Sequence, residues 1–344
     1  FDAADYMTAE ELELFPSNYL RFGLAAARSA LEDAGLHWSR DNPPTERVGL
    51  VVGSCNGGLE TSERYYRELL GPGPAEYDRK TDLLFRYHSL GRALSYGLGV
   101  SGPTWVVTTA CSSSTVALAV ALELIAHDVV HTVLVGGTDA MCLTTMSGFN
   151  ALKATSTGKV APFSTPPGLN LGEGAGFWVV EEARTATRRK APIEGELLGY
   201  ALTADAHHPT APDPRGDGAY RTMKQALERT GVSVSELGCI NAHGTGTLAN
   251  DEIECRVIER VFGNGPAVSS TKSLAGHSIG ASGALEAQVA ALSIRDQCVH
   301  GNVNLEQPIS GIGLLKSKEN LEISSVLTQS FAFGGHNCGL LLKK

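Results

Sequence analysis

The sequence offers one cysteine in a position suited to nucleophilic chemistry. Cys111 stands between the run TWVVTTA, which predicts a strand, and the run SSSTVALAV, which predicts a helix. A thiol at a helix N-terminus meets the positive end of the helix dipole and unpaired backbone N–H groups, and both favour the thiolate. Cys111 is therefore a candidate nucleophile, whereas the other six cysteines are interpreted as structural residues.

Two histidines follow a related local pattern. His243 lies in NAHGTGT after a predicted strand, and His277 precedes a helix of small residues in TKSLAGHSIGASGALE. Both are placed on loops at the C-terminal ends of strands, where open α/β sheets bind ligands. We therefore expect Cys111, His243 and His277 to converge in one site. Metal binding is the rival use of these residue types, but spacings of 132 and 34 residues match no common zinc motif.

A lysine and a glycine-rich turn accompany these residues. Lys272 shares the predicted loop of His277, and burial of its ammonium without a partner would be costly. Asp251 and Glu254, one helical turn apart after the His243 loop, are expected to neutralise it; the alternative is a surface salt bridge. The turn SFAFGGHNCG, from Ser330, allows close backbone approach, so a backbone N–H there is a candidate oxyanion donor. A tight hairpin with no chemistry explains its glycines equally well.

Composition sets the frame for this chemistry. The 344 residues are about the length of two domains, and 42% hydrophobic with 19% charged residues is typical of globular proteins. A net charge of -9 argues against a nucleic-acid partner, and no apolar stretch approaches the length of a membrane span. Seven cysteines without a CxxC pair indicate a reducing, cytoplasmic compartment. The chain begins at Phe1, without a signal peptide, and is interpreted as part of a longer one.

Strand and helix patterns alternate, which predicts the α/β class, and they do so in the same order twice. We divide the chain into an N-terminal half, residues 1–190, which carries the nucleophile, and a C-terminal half, residues 191–344, which carries both histidines. The second half opens with a predicted strand, IEGELLGYAL from Ile193, that has no counterpart in the first. An apolar β run is therefore expected upstream of Phe1.

Four motifs in order, TACSSS, NAHGTGT, STKSLAGHSIGASGALE and SFAFGGHN, span the chain from Cys111 to Asn337. Together they resemble the β-ketoacyl-acyl carrier protein synthases, the condensing enzymes of fatty acid and type II polyketide synthesis. The resemblance implies the thiolase fold, a duplicated five-layer α/β/α/β/α sandwich that is usually a dimer. It also implies substrates carried on the phosphopantetheine of an acyl carrier protein, with no cofactor and no metal.

The resemblance implies a role for each motif residue. Cys111 is acylated and then condensed with a malonyl unit, whose thioester carbonyl His243 and His277 hold during decarboxylation. The N–H groups of Cys111 and Phe333 form the oxyanion hole, and the Phe333 ring gates the site. The remaining implied roles are a network of Lys272 with Asp251 and Glu254, a structural acid at Glu286, pantetheine contacts at Thr245 and Thr247, a tunnel mouth at His208 and Thr210, an acyl pocket at Phe149 and Asn56, and a carrier contact at Lys153.

Three segments depart from the family pattern. PFSTPPGLNLGEGAG, from Pro162, lacks the Asp and Arg found in many relatives, so its packing is expected to differ. MTAEELELF places Glu10, Glu11 and Glu13 where fatty acid enzymes carry basic residues for the carrier protein, which puts docking at that patch in doubt. Asn56 stands where relatives often have an apolar pocket residue, and this suggests a polar, unsaturated or aromatic acyl chain.

Other members of the superfamily are less consistent with these residues. A chain-length factor, the inactive half of heterodimeric polyketide synthases, usually lacks the nucleophile that Cys111 supplies here. A thiolase carries a second catalytic cysteine near its C-terminus, but Cys338 lies on the strand side of the turn and is interpreted as structural. A domain cut from a modular synthase is a further alternative. An active subunit paired with a chain-length-factor-like partner remains the alternative to a homodimer.

Overall fold

Two β-sheets form the frame of the molecule, for which a computed structural model describes residues 1–72 and 86–344. The first sheet has the strand order β2-β1-β3-β4 and the second β7-β6-β10-β11-β5. The strands are β1 Val48–Gly53, β2 Thr104–Val107, β3 Thr132–Asp139, β4 Gly174–Glu181, β5 Glu196–Ala204, β6 Leu237–Asn241, β7 Ala267–Ser269, β10 Ser325–Phe331 and β11 His336–Lys343. A small separate pair joins β8 Cys298–Val299 to β9 Glu319–Asn320.

Helices cover both sheets and fill the space between them. They are α1 Ala9–Leu14, α2 Asn18–Asp33, α3 Leu59–Leu69, α4 Tyr87–Leu98, α5 Ser113–Ala126, α6 Leu143–Ala151, α7 Ala183–Arg188, α8 Asp217–Thr230, α9 Leu248–Phe262, α10 Lys272–Ala275 and α11 Ser282–Asp296. Short 3-10 helices span Ala3–Asp5, Ala110–Ser112, Val234–Glu236, Ile279–Ala281 and Phe333–Gly335. None of the helices in the described ranges is both long enough and apolar enough to cross a membrane.

The helices and sheets stack in five layers. An outer layer of α2 and α4 packs on one face of the first sheet, and α8 and α9 pack on the outer face of the second. Between the sheets lie α5 and α11, whose apolar side chains share one core with both inner sheet faces. The chain is therefore an α/β/α/β/α sandwich.

The two sheets repeat one topology. In the first, β1 pairs in parallel with β2 and β3, and β4 is antiparallel to β3. In the second, β6 pairs in parallel with β7 and β10, and β11 is antiparallel to β10. The extra strand β5 corresponds to the predicted strand from Ile193 that has no counterpart in the first half, and it pairs antiparallel with β11. The assignment of the halves as domains, with a boundary at residue 190, stays a prediction.

Small residues let the two central helices approach closely. The hydroxyl of Ser114 on α5 accepts a hydrogen bond of 2.9 Å from the backbone N–H of Ala284 on α11. A Cβ atom at Gly283 would overlap the hydroxyl of Thr115. Because both helices begin at this contact, the loops that precede them are brought together at one end of the layer.

Candidate active site

Cys111 lies in a tight turn between β2 and α5. The turn is the 3-10 helix Ala110–Ser112, and Ala110 adopts a left-handed backbone conformation with φ of 53°. Hydroxyl groups hold it in place, since Ser112 donates to the carbonyl of Thr109 at 2.8 Å and Ser113 donates to that of Ala110 at 2.6 Å. The predicted strand, turn and helix around the candidate nucleophile are therefore present.

Cys111 is buried, with 5% of the residue's surface exposed. Burial raises its pKa to about 11, although the positive charge of Lys272 and a hydrogen bond from the Phe333 backbone N–H act in the opposite direction. Burial therefore outweighs the groups around Cys111 that favour the thiolate. At neutral pH the group is a thiol, and its proton must leave as a bond to sulfur forms.

The protonation of Cys111 leads to a pH-dependent labelling experiment. Only the thiolate reacts with iodoacetamide, so the alkylation rate of Cys111 is expected to rise about tenfold per pH unit between pH 7 and 9.5. Mass spectrometry of the Cys111 peptide gives the rate, and Cys111→Ala gives the background from the other cysteines. A rate that is already constant above pH 8 contradicts the raised pKa.

His243 follows β6 and is held by a buried lysine. The Nζ atom of Lys272 is 3.2 Å from His243 Nδ1 and 2.7 Å from its carbonyl oxygen, and it forms an ion pair with Glu286. An ammonium has three N–H donors and no acceptor, so these contacts use all of them. Because His243 Nδ1 accepts, the proton of the neutral ring is on Nε2.

His277 follows α10 and presents one free nitrogen. Its Nδ1 is 2.9 Å from the hydroxyl of Ser282, the first residue of α11. Its Nε2 is buried and has no hydrogen-bond partner among the described residues. The ring of His277 is perpendicular to that of His243, with centroids 5.7 Å apart. With Ser282 as donor to Nδ1, both imidazoles place an N–H on Nε2.

Both imidazoles are neutral. Burial and the positive charge of Lys272 lower the pKa of His243 and of His277 well below the ordinary value of 6.5. Neutral rings are hydrogen-bond donors that add no positive charge of their own. The pair is therefore suited to hold an oxygen on which negative charge develops.

The acids predicted to neutralise Lys272 bind backbone amides instead. Glu254 accepts from the N–H groups of His243 at 2.7 Å and Gly244 at 2.8 Å, and Asp251 accepts from Phe163 at 2.7 Å. The ammonium is paired with Glu286, so the predicted pairing with Asp251 and Glu254 is wrong. Their position one helical turn apart on α9 directs them to the loop amides, and Glu254 thereby fixes the backbone of His243.

Aromatic rings line one side of this space. Phe149, on α6, stacks on Phe333 with centroids 5.4 Å apart and meets the ring of His277 edge-on at 6.5 Å. Phe333 occupies the short 3-10 helix between β10 and β11, and its backbone N–H reaches the Cys111 thiol. The structure therefore brings Cys111, both histidines, Phe149 and Phe333 together.

The residues predicted at the tunnel mouth surround the loop of Phe333. Gly334 donates to the carbonyl of Pro209 at 2.7 Å, which ties this loop to the segment that carries His208 and Thr210. His208 is exposed, and its Nδ1 accepts from the N–H of Thr210 at 3.1 Å. On the His243 loop, the hydroxyls of Thr245 and Thr247 are 2.8 Å apart.

Asn56 uses its amide inside the protein. Its Nδ2 donates to the carbonyl of Ala140 at 2.9 Å, and its Oδ1 accepts from the hydroxyl of Thr145 at 2.8 Å. These contacts join the loop after β1 to the start of α6, four residues before Phe149. The polarity of Asn56 is thus explained by structure and gives no support to a polar acyl chain.

The segment from Pro162, which lacks the Asp and Arg found in many relatives, holds the backbone of His277. Asn170 accepts a backbone hydrogen bond from His277 at 2.8 Å, and Gly172 donates to the carbonyl of His277 at 2.8 Å. Phe163, at its start, is fully buried and is bound by Asp251. The altered segment therefore still positions a site residue.

Sequence reasoning missed Asp139, the last residue of β3. Its buried carboxylate accepts four hydrogen bonds, from the Ser54 hydroxyl and from the N–H groups of Cys55, Asn56 and Gly280, at 2.7 to 2.9 Å. Burial raises its pKa to about 6, against these hydrogen bonds. The available signal was an acid that ends the otherwise uncharged run TVLVGGTD.

Comparison with known proteins gives consistent matches along the chain. The family model described as the β-ketoacyl synthase N-terminal domain matches residues 7–186, and that of the C-terminal domain matches residues 194–306. The 3-oxoacyl-[acyl-carrier-protein] synthase 2 of Coxiella burnetii is 37% identical over 344 residues, which cover 95% of this chain and 82% of the relative.

Two solved structures are also similar. The ishigamide ketosynthase/chain length factor superposes with a TM-score of 0.93 at 30% identity and covers 100% of this chain and 86% of its own. A type II polyketide synthase acyl-carrier protein in complex with its ketosynthase, bound to the hexaketide, gives a TM-score of 0.88 at 27% identity, covering 94% of this chain and 84% of the other.

Proposed function

The chain belongs to the β-ketoacyl synthase family and is a condensing enzyme of thiolase fold, and we propose that it joins an acyl group on Cys111 to a malonyl unit, both delivered by an acyl carrier protein. The observation that carries the proposal is the convergence of one thiol with two neutral imidazoles, one of which has a buried nitrogen that no described residue hydrogen-bonds. The site holds the donors needed for this reaction, and the proposal requires no cofactor or metal.

The first half-reaction is a thioester exchange. The sulfur of Cys111 bonds to the acyl carbon, the bond from that carbon to the carrier sulfur breaks, and the proton of the Cys111 thiol passes to the departing thiolate. A thiol is suited to this step because its leaving ability matches that of the incoming group. The N–H groups at Cys111 and Phe333 stabilise the tetrahedral oxyanion, and the charge of Lys272 favours the developing thiolate.

The second half-reaction forms the carbon–carbon bond. The malonyl thioester loses CO2, and the electron pair of the broken bond moves into an enolate whose oxygen accepts from the Nε2–H groups of His243 and His277. The enolate carbon then attacks the acyl carbonyl on Cys111, the carbon–sulfur bond breaks, and the released thiolate takes up a proton. The neutral state of both imidazoles supports this role, since each donates a hydrogen bond without acting as an acid.

Mass spectrometry tests the proposal directly. Incubation with an acyl carrier protein that carries a hexanoyl group is expected to transfer that group to the Cys111 peptide. Addition of malonyl carrier protein is expected to clear the adduct and yield a β-ketoacyl carrier protein. An adduct that malonyl carrier protein does not clear, or no adduct at all, contradicts the proposal.

The carrier surface is proposed to include Lys153, which is exposed just after the helix that carries Phe149. The acidic run near the N-terminus is partly neutralised within the protein. Glu11 pairs with Arg28 at 2.6 Å and Glu10 pairs with Arg40 at 3.2 Å. All seven cysteines are free, which supports a reducing, cytoplasmic location.

The outer edge of β2 supports a subunit interface. The carbonyl of Pro103 accepts from Leu50 on β1 at 2.9 Å, and that of Val107 accepts from Ser54, just after β1, at 3.0 Å. The alternating backbone groups of Thr104 and Val106 therefore point away from the described sheet. Trp105 on the same strand is 38% exposed. Such an edge pairs readily with another strand, and we place a second subunit there.

A chain-length-factor-like partner is the second candidate for that subunit, because the similar ishigamide structure is a ketosynthase/chain length factor. Val106→Pro is expected to convert the dimer to monomer at micromolar concentration, since proline cannot donate the outward N–H. Sedimentation velocity measures this, with Val106→Ala as the control that stays dimeric. A wild-type chain that is monomeric alone and dimeric only with the partner selects the heterodimer; a Val106→Pro chain that stays dimeric contradicts the interface.

A further inference from the structure

The internal repeat assigns a counterpart to the nucleophile. The 3-10 helix Ala110–Ser112 leads into α5, and the 3-10 helix Ile279–Ala281 leads into α11. Their first residues share a left-handed conformation, with φ of 53° at Ala110 and 54° at Ile279. Cys111 and Gly280 follow these residues, so Gly280 holds in the second half the position that Cys111 holds in the first.

The space beside Gly280 is already filled. A Cβ atom added at Gly280 would lie 2.5 Å from the backbone nitrogen of Cys55 and 2.7 Å from Oδ2 of Asp139. Real Cβ atoms do not approach other atoms so closely. The carboxylate of Asp139 and the loop after β1 therefore stand where the side chain of a second nucleophile would be.

Asp139 joins parts of the chain that lie far apart in sequence. Its Oδ1 accepts from the Ser54 hydroxyl at 2.7 Å and from Asn56 N–H at 2.8 Å, while Oδ2 accepts from Cys55 N–H at 2.9 Å and Gly280 N–H at 2.7 Å. All four donors are neutral. An amide in place of the carboxylate would turn N–H toward two of these donors, because Asn has only one acceptor oxygen.

The contact of Asp139 with Gly280 lies close to His277, which is proposed to hold the malonyl unit during decarboxylation. Gly280 follows His277 by three residues and precedes Ser282 by two, and Ser282 is hydrogen-bonded to His277 Nδ1 at 2.9 Å. On its other side, His277 is held by the backbone of Asn170. Cys111, in contrast, is held by the hydroxyls of its own turn.

We propose that Asp139 is a positioning residue for the condensing reaction. Its carboxylate occupies the space beside Gly280, the residue equivalent to Cys111, and thereby fixes the segment that orients His277. This inference rests on the proposed function of the site. It separates the two half-reactions by the kind of contact. Asp139 is hydrogen-bonded to the segment that orients His277, whereas it acts on Cys111 only through its charge, which raises the pKa of that thiol and does not assist acylation.

Two rates measured on the same full-length enzyme test this assignment. Decarboxylation is followed as CO2 release from malonyl-pantetheine, and acylation as transfer from hexanoyl-pantetheine to the Cys111 peptide. In Asp139→Asn the decarboxylation rate is expected to fall about 10- to 100-fold while acylation changes by less than about threefold. Ser54→Ala, which removes one of the four donors, is expected to shift the ratio in the same direction by a smaller factor.

Thr138→Val is the matched control. Thr138 is the neighbour of Asp139 on β3, and its hydroxyl donates to the carbonyl of Tyr19 at 2.7 Å on the other face of the sheet. Loss of this buried hydrogen bond is expected to lower thermal stability without a change in the ratio of the two rates. Equal loss of both rates in Asp139→Asn and Ser54→Ala, or no loss in either, overturns the inference. A wild-type enzyme without decarboxylation refutes the proposed function itself.

Discussion

Replacement of Cys111 by alanine is expected to reduce condensation by at least about 10⁴-fold, since the proposed reaction places the acyl chain on the thiol that alanine lacks. Decarboxylation of a malonyl thioester is expected to continue within about tenfold of the wild-type rate, because His243 and His277 keep their partners. Product analysis measures the first rate and CO2 release the second. This contrast distinguishes a covalent nucleophile from a residue that merely shapes the site.

A matched cysteine gives the control for this experiment. Cys298 lies on β8 and is only partly buried, so Cys298→Ala is expected to leave both rates unchanged. An acyl adduct that persists on another cysteine in Cys111→Ala contradicts the assignment, as does condensation above about 0.01 per cent of the wild-type rate.

Replacement of His277 by alanine is expected to lower decarboxylation about 10²- to 10³-fold, the usual cost of removing one oxyanion donor. Its Nε2 is the buried nitrogen without a partner in the described part of the chain, and the substrate oxygen is expected to be that partner. Acylation of Cys111 is expected to change less than about tenfold, because its oxyanion donors are backbone N–H groups. Single-turnover acylation and CO2 release separate the two effects.

The exposed His131 provides the comparison, since it pairs with Glu182 and its replacement by alanine is expected to be neutral. His243→Ala is expected to resemble His277→Ala in decarboxylation but also to lower stability, because Lys272 loses the acceptor at Nδ1. A His277→Ala enzyme that decarboxylates normally refutes the role of the imidazole pair.

Local sequence patterns singled out Cys111, His243 and His277 because each stands in a predicted loop beside glycine or small residues. The repeat of strand and helix order then predicted that these loops meet, and the layered fold is confirmed. Both steps depend on short-range periodicity, which a single sequence retains.

The contacts that sequence reasoning missed depend on packing between distant segments. Burial is the largest influence on the pKa of Cys111, and it depends on segments that are distant in the sequence. Lys272 selects Glu286 on α11 in preference to the acids on α9, although nothing in their spacing favours it. Asp139 binds mostly backbone N–H groups, which leave no sequence signature.

The buried ion pair of Lys272 and Glu286 also limits how this lineage can change. Loss of either member alone strands an uncompensated charge in the interior, which typically costs several kcal/mol, whereas joint replacement by apolar groups is far less damaging. The two positions are therefore expected to change together in evolution, because a substitution at one is tolerated only with a substitution at the other. Any drift of this site toward a new reaction has to begin elsewhere.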